Sequence, residues 1–158
     1  MNVKTALSTA LIATTVFGGS LGAIQAPAKK AAAGRLIEIT GDDAMKFNVT
    51  TITAKPGERL TVKLTNIGKM PKMASAHNFV LLAKGTDLQA FTTEAVMAGT
   101  TEYIPAKFKA QVLASTKLAG PGESFEVSFA APTAPGMYQY ICSFPGHYAM
   151  MKGMLEVK

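Results

Sequence analysis

The stretch Cys142-Ser-Phe-Pro-Gly-His147-Tyr-Ala-Met-Met151-Lys-Gly holds the only cysteine of the chain. One of its two histidines follows five residues later, and Met151 four residues after that. Thiolate, imidazole and thioether can all ligate a metal. Each also has an ordinary explanation: a buried cysteine acting as a small hydrophobe, a turn histidine, one of nine methionines. The second histidine, His77, opens the apolar run His77-Asn-Phe-Val-Leu-Leu82. Two imidazoles, a thiolate and a weak thioether match a trigonal copper site with a long axial methionine. Zinc competes for nitrogen and sulfur, but its structural sites rarely take methionine. Four protein ligands leave no open position for substrate, which favours electron transfer over catalysis.

Such a set needs rigid elements to aim it. Period-two patterning dominates. Strands are expected at Leu36–Thr40, Phe47–Thr53, Leu60–Thr65, His77–Leu82, Phe125–Phe129, Met137–Cys142 and Met154–Val157. In the third, Leu60, Val62 and Leu64 share one face. About seven short strands punctuated by Gly and Pro point to an all-β fold, a β-sandwich. The segment at residues 86–113 is too long for a hairpin loop and has helical character, so it is expected as a helical flap. Cys142 then ends one strand, Pro145-Gly146 turns the chain against helix formation, and the last strand follows Met151.

The N-terminus is a separate matter. Lys4, an uncharged run from Thr5 to Ala23 and the small residues Ala26 and Ala28 describe a secretory signal over residues 1–28, cleaved after Ala28 or Ala26. A retained anchor is the alternative, though the run holds Gly18, Gly19 and Gly22 and makes a poor spanning helix. Residues 29–34 form a short linker, leaving one domain at 35–158. The expected location is the periplasm, with no membrane span after cleavage. Losing Lys4 takes the formal charge from +6 to +5. The lysines are scattered, so nucleic-acid binding is unsupported. A lone cysteine forbids an internal disulfide.

The loop resembles the copper loop of the azurins, blue-copper proteins of the cupredoxin family. Gly41-Asp-Asp-Ala-Met-Lys-Phe-Asn48, Ala76-His-Asn-Phe-Val-Leu81 and Thr116-Lys-Leu-Ala-Gly-Pro-Gly-Glu123 are similar to azurin segments in the same order, over about residues 35–158. The resemblance implies a Greek-key β-sandwich with a helical flap. It implies one type 1 copper, held by His77, Cys142 and His147, with Met151 as the axial ligand. Met150 is adjacent, but the family spacing selects Met151. The backbone carbonyl of Ala76 would face copper from the other side. Asn78 and Ser143 would bridge the two ligand-bearing loops. His147 would be the electron port, inside an apolar patch drawn from Met45, Met70, Phe144, Pro145, Ala149 and Met150. Lys46, Lys69, Lys72 and Lys152 would form a basic rim favouring an acidic partner.

The implied function is a soluble, monomeric periplasmic electron carrier, not an enzyme. It would shuttle electrons between redox proteins such as c-type cytochromes and a terminal reductase or oxidase. A copper storage or delivery protein is the alternative. Two histidines in total exclude the second copper site of an oxidase or reductase within this chain. Against the family pattern, Arg35 and Glu58 stand where a disulfide would be, which predicts lower copper-free stability than a disulfide-bonded relative. Asn66 and Ser115 replace the family's other histidines, which predicts weak pH dependence of the potential.

Overall fold

The computed structural model describes residues 34–158; the expected signal and nearly all of the linker lie outside them. Eight strands form two sheets: β1 Arg35–Gly41, β2 Thr51–Ala54, β3 Arg59–Asn66, β4 Val80–Leu82, β5 Val112–Ser115, β6 Ser124–Ala130, β7 Gly136–Ile141 and β8 Lys152–Val157. One sheet has the order β1-β3-β6 and the other β2-β8-β7-β4-β5. β1 pairs with β3, and β2 with β8, in parallel; the remaining pairs are antiparallel.

The alternation read in β3 sets the core. Leu60, Val62 and Leu64 are fully buried and face the other sheet, where Phe79, Leu81, Tyr140, Cys142, Met151 and Leu155 meet them. On the outer face of the smaller sheet, Thr61 and Thr65 hydrogen-bond Ser128 and Ser124 across the strands, each at 2.8 Å. β4 is buried on both sides, as its unbroken apolar run requires. Leu81 turns to the sandwich core, while Val80 and Leu82 join Ile141 under the flap.

The flap lies where expected. Helix α1, Leu88–Ala95, starts at Asp87, whose carboxylate accepts from the Ala90 N–H at 3.0 Å, a helix N-cap. A 3₁₀ segment at Ala106–Gln111 follows. Phe91 and Phe108 pack edge-on, ring centroids 5.5 Å apart, over Val80, Leu82 and Ile141.

Three boundaries differ from expectation. The expected flap runs to residue 113, but its last two residues belong to β5, a four-residue edge strand on β4, across a bulge between Leu81 and Leu82. Of the second expected strand, Phe47–Thr53, only residues 51–53 pair as one, within β2, because Phe47 instead makes an isolated bridge to Gly41. His77 likewise precedes β4 and bridges Ala119. At the edge of the sandwich, Arg35 Nε donates to Glu58 Oε1 at 2.7 Å and Arg35 Nη2 to the Thr53 carbonyl at 2.6 Å.

Candidate metal centre

Three loops at one end of the sandwich supply the site. The His77 backbone is clamped in both directions by Ala119: its N–H donates to the Ala119 carbonyl at 3.0 Å, and the Ala119 N–H donates to its carbonyl at 2.7 Å. Ala119 is held in turn by Asn66, whose Nδ2 donates to the same carbonyl at 3.0 Å. Cys142 follows β7, and its N–H donates to the Met151 carbonyl at 2.9 Å. Between them, Gly146 takes a left-handed φ of 83° and a single 3₁₀ turn runs over His147–Ala149.

That turn corrects the expectation that Pro145-Gly146 opposes helical pairing. The break lies before His147, and the turn after it puts the Met151 N–H on the His147 carbonyl at 2.8 Å. The four side chains are brought together. His77 Nδ1 lies 4.0 Å from Cys142 Sγ, and His147 Nδ1 lies 3.7 Å from it. All three donor atoms fall within 4.8 Å of one another. Met151 is fully buried beside them, packing with His77 against Gly41. The Ala76 carbonyl is 3.8 Å from Sγ.

These separations fit a metal. Ligand bonds of about 2.0–2.1 Å to nitrogen and about 2.3 Å to sulfur, spread by about 120°, put nitrogen and sulfur about 3.7–3.8 Å apart. The donor set is soft and borderline, with no carboxylate, as a copper site cycling between two oxidation states requires. The far nitrogen of His77, Nε2, has no hydrogen-bond partner among the described residues, although the nearby Asp42 carbonyl favours a protonated ring.

Burial keeps the metal-free site neutral. Desolvation pushes the Cys142 thiol up to about 12, opposed by the backbone N–H groups of Asn78 and Phe144. Desolvation also lowers both histidines. His147, further disfavoured by a second cation at His77, falls to about 4, and His77 is lowered mainly by burial. The sign of the pH effect follows. The unfolded chain protonates its histidines near the ordinary value of 6.5 while the folded one resists, so metal-free stability is present above about pH 6.5 and lost on acidification toward 4. The urea midpoint of metal-free protein is expected to fall between pH 7 and 5, and less steeply in His147→Gln. Equal slopes in both would show that His147 is not the group responsible.

Asn78 ties two of the loops together. Its Oδ1 accepts from the Ser143 N–H at 2.8 Å, and its Nδ2 donates to Ser143 Oγ at 2.9 Å. Around the site, Met45, Met70, Ala149 and Met150 are exposed and Pro145 is half-buried. Phe144 does not join that surface. It is buried against His147, ring centroids 4.7 Å apart, because the turn folds it inward. Lys72 also leaves the expected basic rim, since its Nζ meets Glu123 Oε2 at 2.7 Å. Met73, which the sequence reading passed over, is 96% exposed; nothing in its local sequence separates it from Met70.

His147 is buried with 5% of its surface exposed, whereas His77, Cys142 and Met151 have none. Among the described residues, no helix is long and apolar enough to cross a membrane.

A family model described as copper binding proteins, plastocyanin/azurin family, matches residues 35–158. Azurin-2 of Alcaligenes xylosoxydans xylosoxydans is 42% identical over 122 residues, covering 75% of this chain and 94% of that protein. Among solved structures, auracyanin A, a "blue" copper protein of Chloroflexus aurantiacus, aligns with a TM-score of 0.72 at 32% identity, over 80% of this chain and 100% of its own. The azurin Az-iso2 of Methylomonas sp. strain J aligns at 0.69 and 30% identity, over 81% of this chain and 99% of its own.

Proposed function

The chain belongs to the plastocyanin/azurin family of copper-binding proteins, and from that premise we propose that His77 Nδ1, Cys142 Sγ and His147 Nδ1 hold one type 1 copper. Met151, fully buried beside them, would be a weaker fourth ligand, and the Ala76 carbonyl, 3.8 Å from Cys142 Sγ, would be a further weak donor. The protein is a blue-copper electron carrier and not an enzyme. The observation that carries the reading is the convergence of three buried donor atoms within 4.8 Å.

Bound copper supplies a one-electron couple between its divalent and monovalent states. The protein's part is to fix the ligands and keep water out. The Ala119 clamp sets His77, and Asn78 sets the loop after Cys142. The packed ends of the sandwich exclude solvent. A ligand frame held this firmly changes little between oxidation states, which keeps reorganisation small. Since Cys142 is protonated in the metal-free protein at neutral pH, loading must displace its proton.

Electrons pass to and from redox partner proteins. His147 is the least covered of the proposed ligands, so the exit lies on its side, through the surface of Met45, Met70, Ala149 and Met150. A c-type cytochrome or a terminal reductase or oxidase is the proposed partner class, met by a monomer through this apolar surface. The leader-like residues 1–28 support secretion to the periplasm and a working domain at 35–158. Storage or delivery fits less well, because such roles need exposed, exchangeable ligands and these are buried.

The test is the visible spectrum of purified protein with one equivalent of copper(II), beside Cys142→Ser. An intense blue thiolate-to-copper band is expected in the first and none in the second. No band in the unaltered protein would mean that these side chains do not converge on copper.

A further inference from the structure

Among the described residues, three that are not glycine adopt a left-handed backbone, and two of them are consecutive: Glu102 and Tyr103, each at φ 59°. A side chain in this region meets steric opposition from its own backbone, and such residues persist where their surroundings hold them. Here the surroundings are the supports of Cys142 and His147.

The Glu102 carbonyl accepts from Asn78 Nδ2 at 2.8 Å and lies 3.4 Å from Ser143 Oγ. A carbonyl can only accept, so it selects which end of the Asn78 amide faces the flap. With Nδ2 committed to Glu102 and Ser143 Oγ, Oδ1 is left toward the Ser143 N–H, at 2.8 Å. The Glu102 carboxylate locks the turn from behind, accepting from the Leu118 N–H at 2.8 Å. Tyr103 reaches the other side of the same loop. Its ring stands edge-on to Phe144, centroids 5.2 Å apart, and Phe144 packs on His147 at 4.7 Å. Tyr103 also packs against both hydrophobic clusters, the sandwich core and the underside of the flap.

We propose that the left-handed Glu102-Tyr103 turn is a positioning device by which the helical flap sets the Cys142–His147 loop. Glu102 acts through the orientation of the Asn78 amide, and Tyr103 through Phe144. Neither touches the metal position. The flap thereby becomes part of the ligand frame and not only a cover. The inference rests on the copper-site reading only for its effect on the metal; the hydrogen-bond orientation belongs to the protein alone.

The test therefore begins with copper-free protein. Amide hydrogen exchange at Ser143 is compared with Val62 in β3, which reports global opening. In Glu102→Val, whose β-branched side chain opposes φ above zero, and in Tyr103→Ala, Ser143 should exchange about tenfold or more faster relative to Val62. Glu102→Gln, which keeps an oxygen to accept from the Leu118 N–H, and Tyr103→Phe, which keeps the ring, should stay within about twofold of the parent. In copper-loaded protein the same two disruptive variants should shift the reduction potential and the copper hyperfine splitting, and the two conservative ones should not. If Ser143 and Val62 exchange accelerate together in every variant, the turn is merely structural and the proposal fails. Should Glu102→Val not fold, Tyr103→Ala against Tyr103→Phe decides the matter. Failure of the copper reading itself would show separately, as the absence of a blue band in the parent.

Discussion

Gly41→Ala is expected to lower copper-free stability by about 1–3 kcal/mol through overpacking and copper(II) affinity by about 10–100-fold. Gly41 ends β1, pairs with Asn66 and is buried. A Cβ built there would overlap the terminal methyl of Met151 and lie 2.8 Å from His77 Cδ2 and 3.1 Å from Cγ. The backbone cannot retreat easily, because the Gly41 carbonyl accepts from the Ile67 N–H at 2.8 Å. His77 is clamped by Ala119, so Met151 is the side chain that must yield, and the ligand it carries goes with it. Gly99→Ala is the control. Its Cβ would come no closer than 3.6 Å to Tyr103, an ordinary contact, so stability and copper affinity should stay near the parent's. Combining Gly41→Ala with Met151→Ala should recover part of the lost stability, since the overlapping methyl is gone, and the two costs should not add. Chemical denaturation of Gly41→Ala, Met151→Ala, the double variant and Gly99→Ala, all with copper removed, measures this. Additive losses would mean that Gly41 serves something other than the approach of Met151 and His77.

Much of this architecture was legible because its signals are local. The alternation in β3 and the unbroken apolar run of β4 state their burial directly. The ligand set was legible for a different reason. Thiol and imidazole are scarce in this chain, and scarcity turned one cysteine and two histidines into a pattern. What stayed hidden depends on contacts made elsewhere. β5 carries too few residues for a period, and its strand character comes from pairing with β4. Phe144 looked like a surface residue beside Pro145, but the turn before His147 rotates it inward. Lys72 looked like part of a basic rim until Glu123, far along the chain, met it. Glu102 and Tyr103 have no glycine or asparagine to announce a left-handed turn, so only folded coordinates reveal one. The chemistry was read from residue identity, whereas the supports that orient it are non-local.

That distinction bears on Asn78, a fully buried side chain whose hydrogen bonds all lead to other segments. Asn78→Ala should cost copper-free protein about 2–4 kcal/mol, as a buried N–H and two further polar groups lose a partner. The Ser143 N–H is the damaging loss, because its acceptor disappears in a site closed to water. Ser143 Oγ and the Glu102 carbonyl suffer less, since they lie 3.4 Å apart and retain each other. Asn78→Asp separates size from bonding. It preserves an acceptor for Ser143 but presents a second acceptor to the Glu102 carbonyl, and a carboxylate in this buried position lacks a cationic partner. It should therefore be no more stable than the alanine variant near neutral pH, and should gain on the alanine variant on acidification as the carboxyl takes up a proton and can donate. The copper-loaded proteins give a second reading. With the loop after Cys142 untied from the loop after His77, ligand positions should differ more between oxidation states, so electron self-exchange should slow in both variants. A copper-free loss below about 1 kcal/mol with unchanged self-exchange would mean that the Ala119 clamp and the turn at His147 hold the ligands without Asn78.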